Sequence, residues 1–393
     1  MTLKPIQIQS ADKAPSLARL FLSFLRLGST AFGGPAMIAY IRRMVVEQKK
    51  WLDDTSFHNG VAFCQMVPGA TAMQAAAYVG LMSRGVSGAA VSFIGFGLPA
   101  FLFMMLLSVF YMQAQNLPVI ISAFNGLQTI IVSIVANAAL SFGRVSIKNW
   151  QGAAIAIAAG ILFGFGINPL FVILLAAVAG ILLYLKQPSP TVISPGRQFS
   201  TYRTVPIIIA AVILGFAILF FADRGLFDLA ALMFRIDLFA FGGGFASVPL
   251  MFHEVVNVHS WMDSKTFLNG IALGQITPGP IVITATFIGY VLYGILGGII
   301  ATVSVFLPSF LIVAGVAPYF DKLRGFPYFN KAVSGIFSSF VGLLFAVTVL
   351  FALKIPWDFF HILLAVAAFA ALSLKVEIYL VVIAGIIISI ILL

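Results

Sequence analysis

Charge is scarce in this sequence. Asp, Glu, Lys and Arg make up 9% of its 393 residues, against about 25% in a soluble domain. With 61% hydrophobic residues and a mean hydropathy of +1.10, so few charges cannot keep a chain this long in water. That excludes the two or three soluble domains its length would suggest. Carboxylates are the scarcer sign: 12 Asp and Glu against 22 Lys and Arg leave a net charge of +10. In a soluble protein the excess would point to nucleic acid. In a membrane protein it belongs to cytoplasmic loops, so nucleic acid is not expected as a partner. Cys64 is the sole cysteine, which excludes a disulfide framework and a cysteine metal cluster. Histidine is nearly as rare. His253-Glu254-Val255-Val256-Asn257 comes closest to a zinc HExxH, but Asn257 stands where the second His is required. His259 lies about 240° further round a helix and cannot share the face. Neither a GxSxG nucleophile nor a GK[ST] phosphate loop occurs, so no enzyme, ATP drive, metal or cofactor is expected. The first sixteen residues lack the apolar core of a cleaved signal, so the first hydrophobic segment must direct insertion.

What is present is a set of continuous apolar runs near membrane-spanning length, such as 204–222 and 378–393. A β-barrel would instead alternate apolar and polar residues in segments of about ten. The spans are therefore helical, and the fold class is an all-α polytopic membrane protein.

The chain also repeats itself. Residues 26–34 (RLGSTAFGG) return 209 positions later as 235–243 (RIDLFAFGG), and nine of the nineteen positions in 51–69 are identical in 261–279. Leu98-Pro99 and Leu307-Pro308 continue the series. The expected organisation is a cytoplasmic N-terminus (1–15), a first transmembrane repeat (16–186), a Pro/Ser-rich loop and linking helix (187–225), and a second repeat (226–393). Each repeat opens with two interrupted segments, broken at Phe32-Gly33-Gly34-Pro35 and Val67-Pro68-Gly69, or at Phe241-Gly242-Gly243-Gly244 and Thr277-Pro278-Gly279-Pro280. Pro removes a helix donor and Gly is a weak helix former. The arms on either side are too short to cross a ~30 Å core. They read as re-entrant helical hairpins, followed in each half by four spans, with small-residue pairs such as Gly160/Gly164 and Gly294/Gly298 serving close packing.

Charge counting supports this layout. With the N-terminus inside and every hairpin returning to its own side, the inside holds seventeen Lys and Arg. The outside holds three (Arg224, Lys265 and Lys354), while Arg26 and Arg235 stay at membrane depth. Four spans and one linking helix start the second half from the opposite side, so the repeats are inverted, the N-terminus cytoplasmic and the C-terminus outside. Inverted repeats with broken helices place ion sites where half-helix ends meet near the midplane; the bland alternative is that the breaks only permit close packing.

The Phe-Gly-Gly elements, Trp51-Leu52…Phe57, Gln65…Pro68-Gly69, Trp261…Phe267, Gln275…Pro278-Gly279-Pro280 and the two Leu-Pro pairs together resemble the chromate ion transporter family in its long, two-repeat form. The sequence departs from that pattern at Pro68-Gly69-Ala70, where Pro-Gly-Pro is usual, and at Met37-Ile38-Ala39, where a His is expected. The resemblance implies secondary transport of chromate out of the cytoplasm across the cell inner (plasma) membrane, driven by the proton motive force. Sulfate or another oxyanion is the alternative substrate, and a non-transporting scaffold or receptor on the same fold is the alternative of another class. Chromate or sulfate, protons and the lipid bilayer are the implied partners; a homodimer stays open.

A tetrahedral dianion needs positive charge and converging donors. Arg26 and Arg235 occupy matched positions, and buried guanidinium is costly unless it is used, although each could instead anchor to a headgroup. Gln65 and Gln275 can donate without adding charge, or can satisfy carbonyls freed by the prolines. Gly33, Gly34, Pro68, Gly69, Gly242, Gly243, Pro278 and Gly279 would let an anion reach backbone N–H groups. Asp237 and Glu254 are the candidate proton carriers. Asp237, two residues past Arg235, reads more simply as that arginine's charge partner, and Glu254 as one half of a wet pair with His253.

Overall fold

The computed structural model describes residues 15–184, 204–320 and 325–392. The loop 187–203, the N-terminal charges and Lys322 and Arg324 lie outside the described residues. The regular structure of the described residues is all helical, apart from one isolated bridge between Pro68 and Phe241.

The first half opens with α1 (Leu17–Gly28), capped by Ser16, and α2 (Gly34–Arg42), which begins on Pro35 and runs on as a π turn, Arg43–Gln48. Helix α3 (Asp54–Met66) is capped by Asp53 and stops at Pro68-Gly69, and α4 (Thr71–Ala114) restarts beyond them. Helix α4 contains a kink at Arg84-Gly85, where Gly85 has φ +66. The kink divides a hairpin arm from the first full span. Then come α5 (Pro118–Ser146), α6 (Trp150–Gly164) and α7 (Pro169–Leu183). The linking helix α8 (Thr204–Ala222) precedes a second half of the same plan: α9 (Arg224–Phe239), α10 (Ser247–Phe252) with its π turn His253–Val258, α11 (Ser264–Ile276), α12 (Thr284–Val316), α13 (Pro327–Ala352), α14 (Phe359–Ser373) and α15 (Ile378–Leu392). Helix α12 is kinked at Tyr293-Gly294, the positions matching Arg84-Gly85.

Both double hairpins close where they open. Arg84 Nε donates to the carbonyl of Pro15 at 2.9 Å, and Gly225 lies against Tyr293. The start and the end of each two-segment unit therefore lie side by side, as hairpins returning to the side they entered require. The spans that follow are of two lengths. Helices α5 and α13 have 29 and 26 residues, whereas α6, α7, α14 and α15 have 15 each. Fifteen residues rise about 22 Å, less than the ~30 Å core. Each short pair nevertheless leaves and returns to one side, so the single linking helix still inverts the second half.

The halves clasp reciprocally, as a pseudo-twofold demands. Helix α13 packs on α6 and α7, and α5 packs on α14 and α15. Small residues make this close: Gly160 meets the backbone of Gly342, and Gly180 that of Gly335. Gly164 faces open space, and Gly294 forms the kink at φ +60 with nothing beside it, so neither is a packing glycine.

Candidate functional site

The four breaks meet at the centre of the molecule. The N–H of Gly69 donates to the carbonyl of Ala240 at 2.9 Å, and the N–H of Gly279 donates to that of Ala31 at 3.1 Å. Ala31 and Ala240 are matched positions, as are Gly69 and Gly279, so the crossing is one contact made twice by the pseudo-twofold. Both glycines have φ +121, which L residues rarely adopt. A Cβ on Gly69 would strike Ser309 Oγ, and one on Gly279 would come within 2.7 Å of Ala100 Cβ. Here glycine is required by conformation and by space.

Beside the crossing lies a cavity of ≈ 530 Å³. The beginnings of four helical arms converge on it: Gly33 before α2, Thr71 and Ala72 of α4, Gly243–Ala246 leading into α10, and Pro280-Ile281 leading into α12. Gln65 and Gln275 add amides from the ends of α3 and α11, and Asn137 and Ser141 add polar groups from α5. No Asp, Glu, Lys or Arg is among the lining residues. The Nε2 of Gln275 is buried without a hydrogen-bond partner among the described residues, a donor left facing an unfilled need.

Of the residues expected to bind, Gly33, Gln65, Gly242, Gly243, Gln275 and Gly279 line this cavity. Gly34 opens α2, and Pro68, Gly69 and Pro278 sit in the crossing outside the lining. The two arginines stand elsewhere. Arg26 is exposed and lines a separate groove along the first hairpin. Arg235 pairs with Glu254 at 2.9 Å. Glu254 is no wet residue: it is 4% exposed, and it also accepts from Asn168 Nδ2 at 3.3 Å. Asp237 therefore has no share in Arg235's charge. Residues two apart point to different sides of a helix, and Asp237 turns inward while Arg235 turns out.

Asp237 is fully buried. Its Oδ2 accepts from the N–H of Ser309 at 3.0 Å and from Ser309 Oγ at 2.7 Å. Ser309 Oγ in turn accepts from the N–H of Ala70 at 2.9 Å, so the carboxyl is wired to the tip of the other half's hairpin. Asp237 Oδ1 has no partner among the described residues. The matched residues of the first half are Gly28 and Ala100, so the polar chain exists once. Sequence reasoning passed over Ser309, although it follows the Leu307-Pro308 pair directly where the first half has Ala100.

The two second hairpins are not equivalent either. Helix α11 is buried against α5 and α15. On it, Asn269 accepts from Gln128 Nε2 at 2.7 Å and donates to the Tyr111 hydroxyl at 3.1 Å. Its counterpart Asn59 is exposed on α3, along with Asp54, Thr55, His58 and Gln65. These residues recur at helical spacing and form a polar stripe from the start of α3 to the cavity.

Comparison with known proteins agrees with this architecture. A family profile described as chromate transporter matches residues 18–181 and 227–390. An uncharacterized transporter of Methanocaldococcus jannaschii is 44% identical over 95% of this chain and 94% of its own length. A chromate transport protein of Cupriavidus metallidurans is 30% identical over 92% of this chain and 90% of its own. A probable chromate transport protein of Synechococcus elongatus is 31% identical over 82% and 81%. No solved structure matches the chain. Two profile matches in tandem, over the two halves that clasp around the cavity, place the chain in the chromate transporter family.

Proposed function

We propose that this protein is a secondary transporter that binds chromate in the central cavity and exports it from the cytoplasm, driven by the proton motive force. One observation carries the reading: four helical arms begin at a cavity with no charged side chain among its lining residues. Each helix start is equivalent to roughly +0.5 of a charge, so four supply about +2, the complement of a dianion. Charge held in backbone dipoles also suits transport. A cavity lined with arginine would hold a dianion too tightly to release it, whereas dipoles and amides bind it through many moderate contacts.

Asp237 is the proton carrier in this reading. Its free Oδ1 can take a proton, and its Oδ2 is linked through Ser309 to Ala70 at the hairpin tip. Glu254, tied to Arg235, serves structure instead. The polar stripe on α3 is the route to the cavity, cytoplasmic under the expected topology. The Gln128–Asn269–Tyr111 network closes the opposite side. Exchanging which second hairpin is exposed would then alternate access.

The test is flux of radiolabelled chromate and sulfate into proteoliposomes, with pH and voltage gradients imposed separately. Chromate accumulation that follows the pH gradient is expected. Flux indifferent to both gradients, or absent for both anions, contradicts the proposal.

A further inference from the structure

We propose that the first hairpin carries a binding groove for the phosphate of an anionic phospholipid, built by Arg19, Arg26, Arg43 and Lys49. The groove has a volume of ≈ 550 Å³ and runs between α1 and the π turn that follows α2. Arg19, Ser23 and Arg26 lie along one face of α1, at spacings of four and three, and Thr30 follows in the turn beyond it. The facing wall is the π turn, in which the N–H of Lys49 reaches the carbonyl of Met44 at 2.9 Å. Such turns are frequent at functional sites. Here the turn presents Arg43 and Lys49 to the groove.

None of the four cations forms an ion pair among the described residues. No carboxylate lines the groove. Nearby acids are engaged: Glu47 pairs with Arg42 at 2.7 Å, Asp53 caps α3, and Glu377 accepts from the Tyr40 hydroxyl at 3.5 Å. The second half shows what an internally balanced version looks like. There, Arg235 corresponds to Arg26, and Glu254 occupies the place of Met44. Glu254 neutralises Arg235 and lies 3.8 Å from His259, the counterpart of Lys49. Asp228 stands at the place of Arg19. Among the described residues the first half keeps the cations and lacks the acid, so no described carboxylate supplies their counter-charge.

A tetrahedral oxyanion with several acceptor oxygens fits this set of donors. Two sources share that chemistry, a lipid phosphate and a free oxyanion. The surroundings favour the lipid. The groove begins in the first turn of α1, close to where Pro15 and Arg84 meet at the mouth of the hairpin. On the same helix, Leu17 and Leu22 are 40% and 61% exposed, apolar surface suited to acyl chains. Basic pockets beside membrane helices are the usual seats of anionic headgroups.

The full-length protein, reconstituted in vesicles of equimolar phosphatidylcholine and phosphatidylglycerol, tests this by native mass spectrometry of retained lipid. Arg26→Gln with Arg43→Gln should lower retained phosphatidylglycerol about thirtyfold, two surface cations' worth. Arg26→Lys with Arg43→Lys should keep most of it, and Lys354→Gln, which removes an exposed charge elsewhere, should change nothing. Retention by the Gln pair at the wild-type level overturns the proposal. The free-ion source is separated by adding sulfate: displacement of phosphatidylglycerol from the wild type by millimolar sulfate also overturns it.

Discussion

At the residue scale, the buried polar groups divide into those that hold the fold and those placed to act on an ion or a proton. Asp237 is the clearest of the second kind, because it is buried, bonded on one oxygen and free on the other. Asp237→Asn keeps an acceptor for Ser309 but cannot carry a proton. The variant should still exchange chromate across a membrane without a gradient, yet lose accumulation driven by a pH gradient; accumulation at the wild-type rate would remove Asp237 from coupling. Arg235 is of the first kind. Arg235→Gln leaves the buried Glu254 uncompensated, and should cost roughly 2–4 kcal/mol in an unfolding titration. Adding Glu254→Gln to it should restore most of that loss. The sequence showed that these residues were unusual but not how they pair. Arg235 and Asp237 are close in sequence and diverge around a helix, whereas Ser309 reaches Asp237 across 72 positions. Contacts that long-range leave no local pattern.

At the scale of elements, the two second hairpins hold different positions in one structure. Helix α11 is locked by Gln128 and Tyr111, and α3 leaves its polar face open. Gln128→Leu removes a buried bond worth about 1 kcal/mol, enough to shift a two-state balance about fivefold. In a Cys64→Ser background, Thr277→Cys at the cavity wall should then react several-fold faster with a reagent applied from the α11 side. An unchanged rate would mean the network does not close that side. The elements themselves were legible: Gly and Pro clusters marked all four breaks, and the apolar runs 204–222 and 378–393 coincide with α8 and α15. The kinks at Gly85 and Gly294 were less so, since a lone glycine in an apolar run carries no sign that φ will be positive. The difference between α3 and α11 could not be read at all. Their sequences are close, and what differs is which neighbours they lean on.

At the scale of the whole molecule, the repeats give a fold with two mouths and one central crossing. Sidedness follows from the charge count and is testable by single-cysteine labelling in a Cys64→Ser background. An impermeant reagent outside the cell should modify Asn257→Cys, exposed on the second-half π turn, and spare Gln48→Cys on the first-half one; the reverse pattern would invert the topology. The central claim is that a dianion sits among helix starts and amides, away from both arginines. Its most direct test is the equilibrium dissociation constant for radiolabelled chromate in Gln275→Leu and Arg26→Gln. Gln275→Leu removes a buried donor with no internal partner, so its stability should hold or rise while affinity falls tenfold or more, the worth of roughly one hydrogen bond to an anion. Arg26→Gln should bind within about threefold of wild type. Affinity lost by about a hundredfold in Arg26→Gln and unchanged in Gln275→Leu would contradict the account.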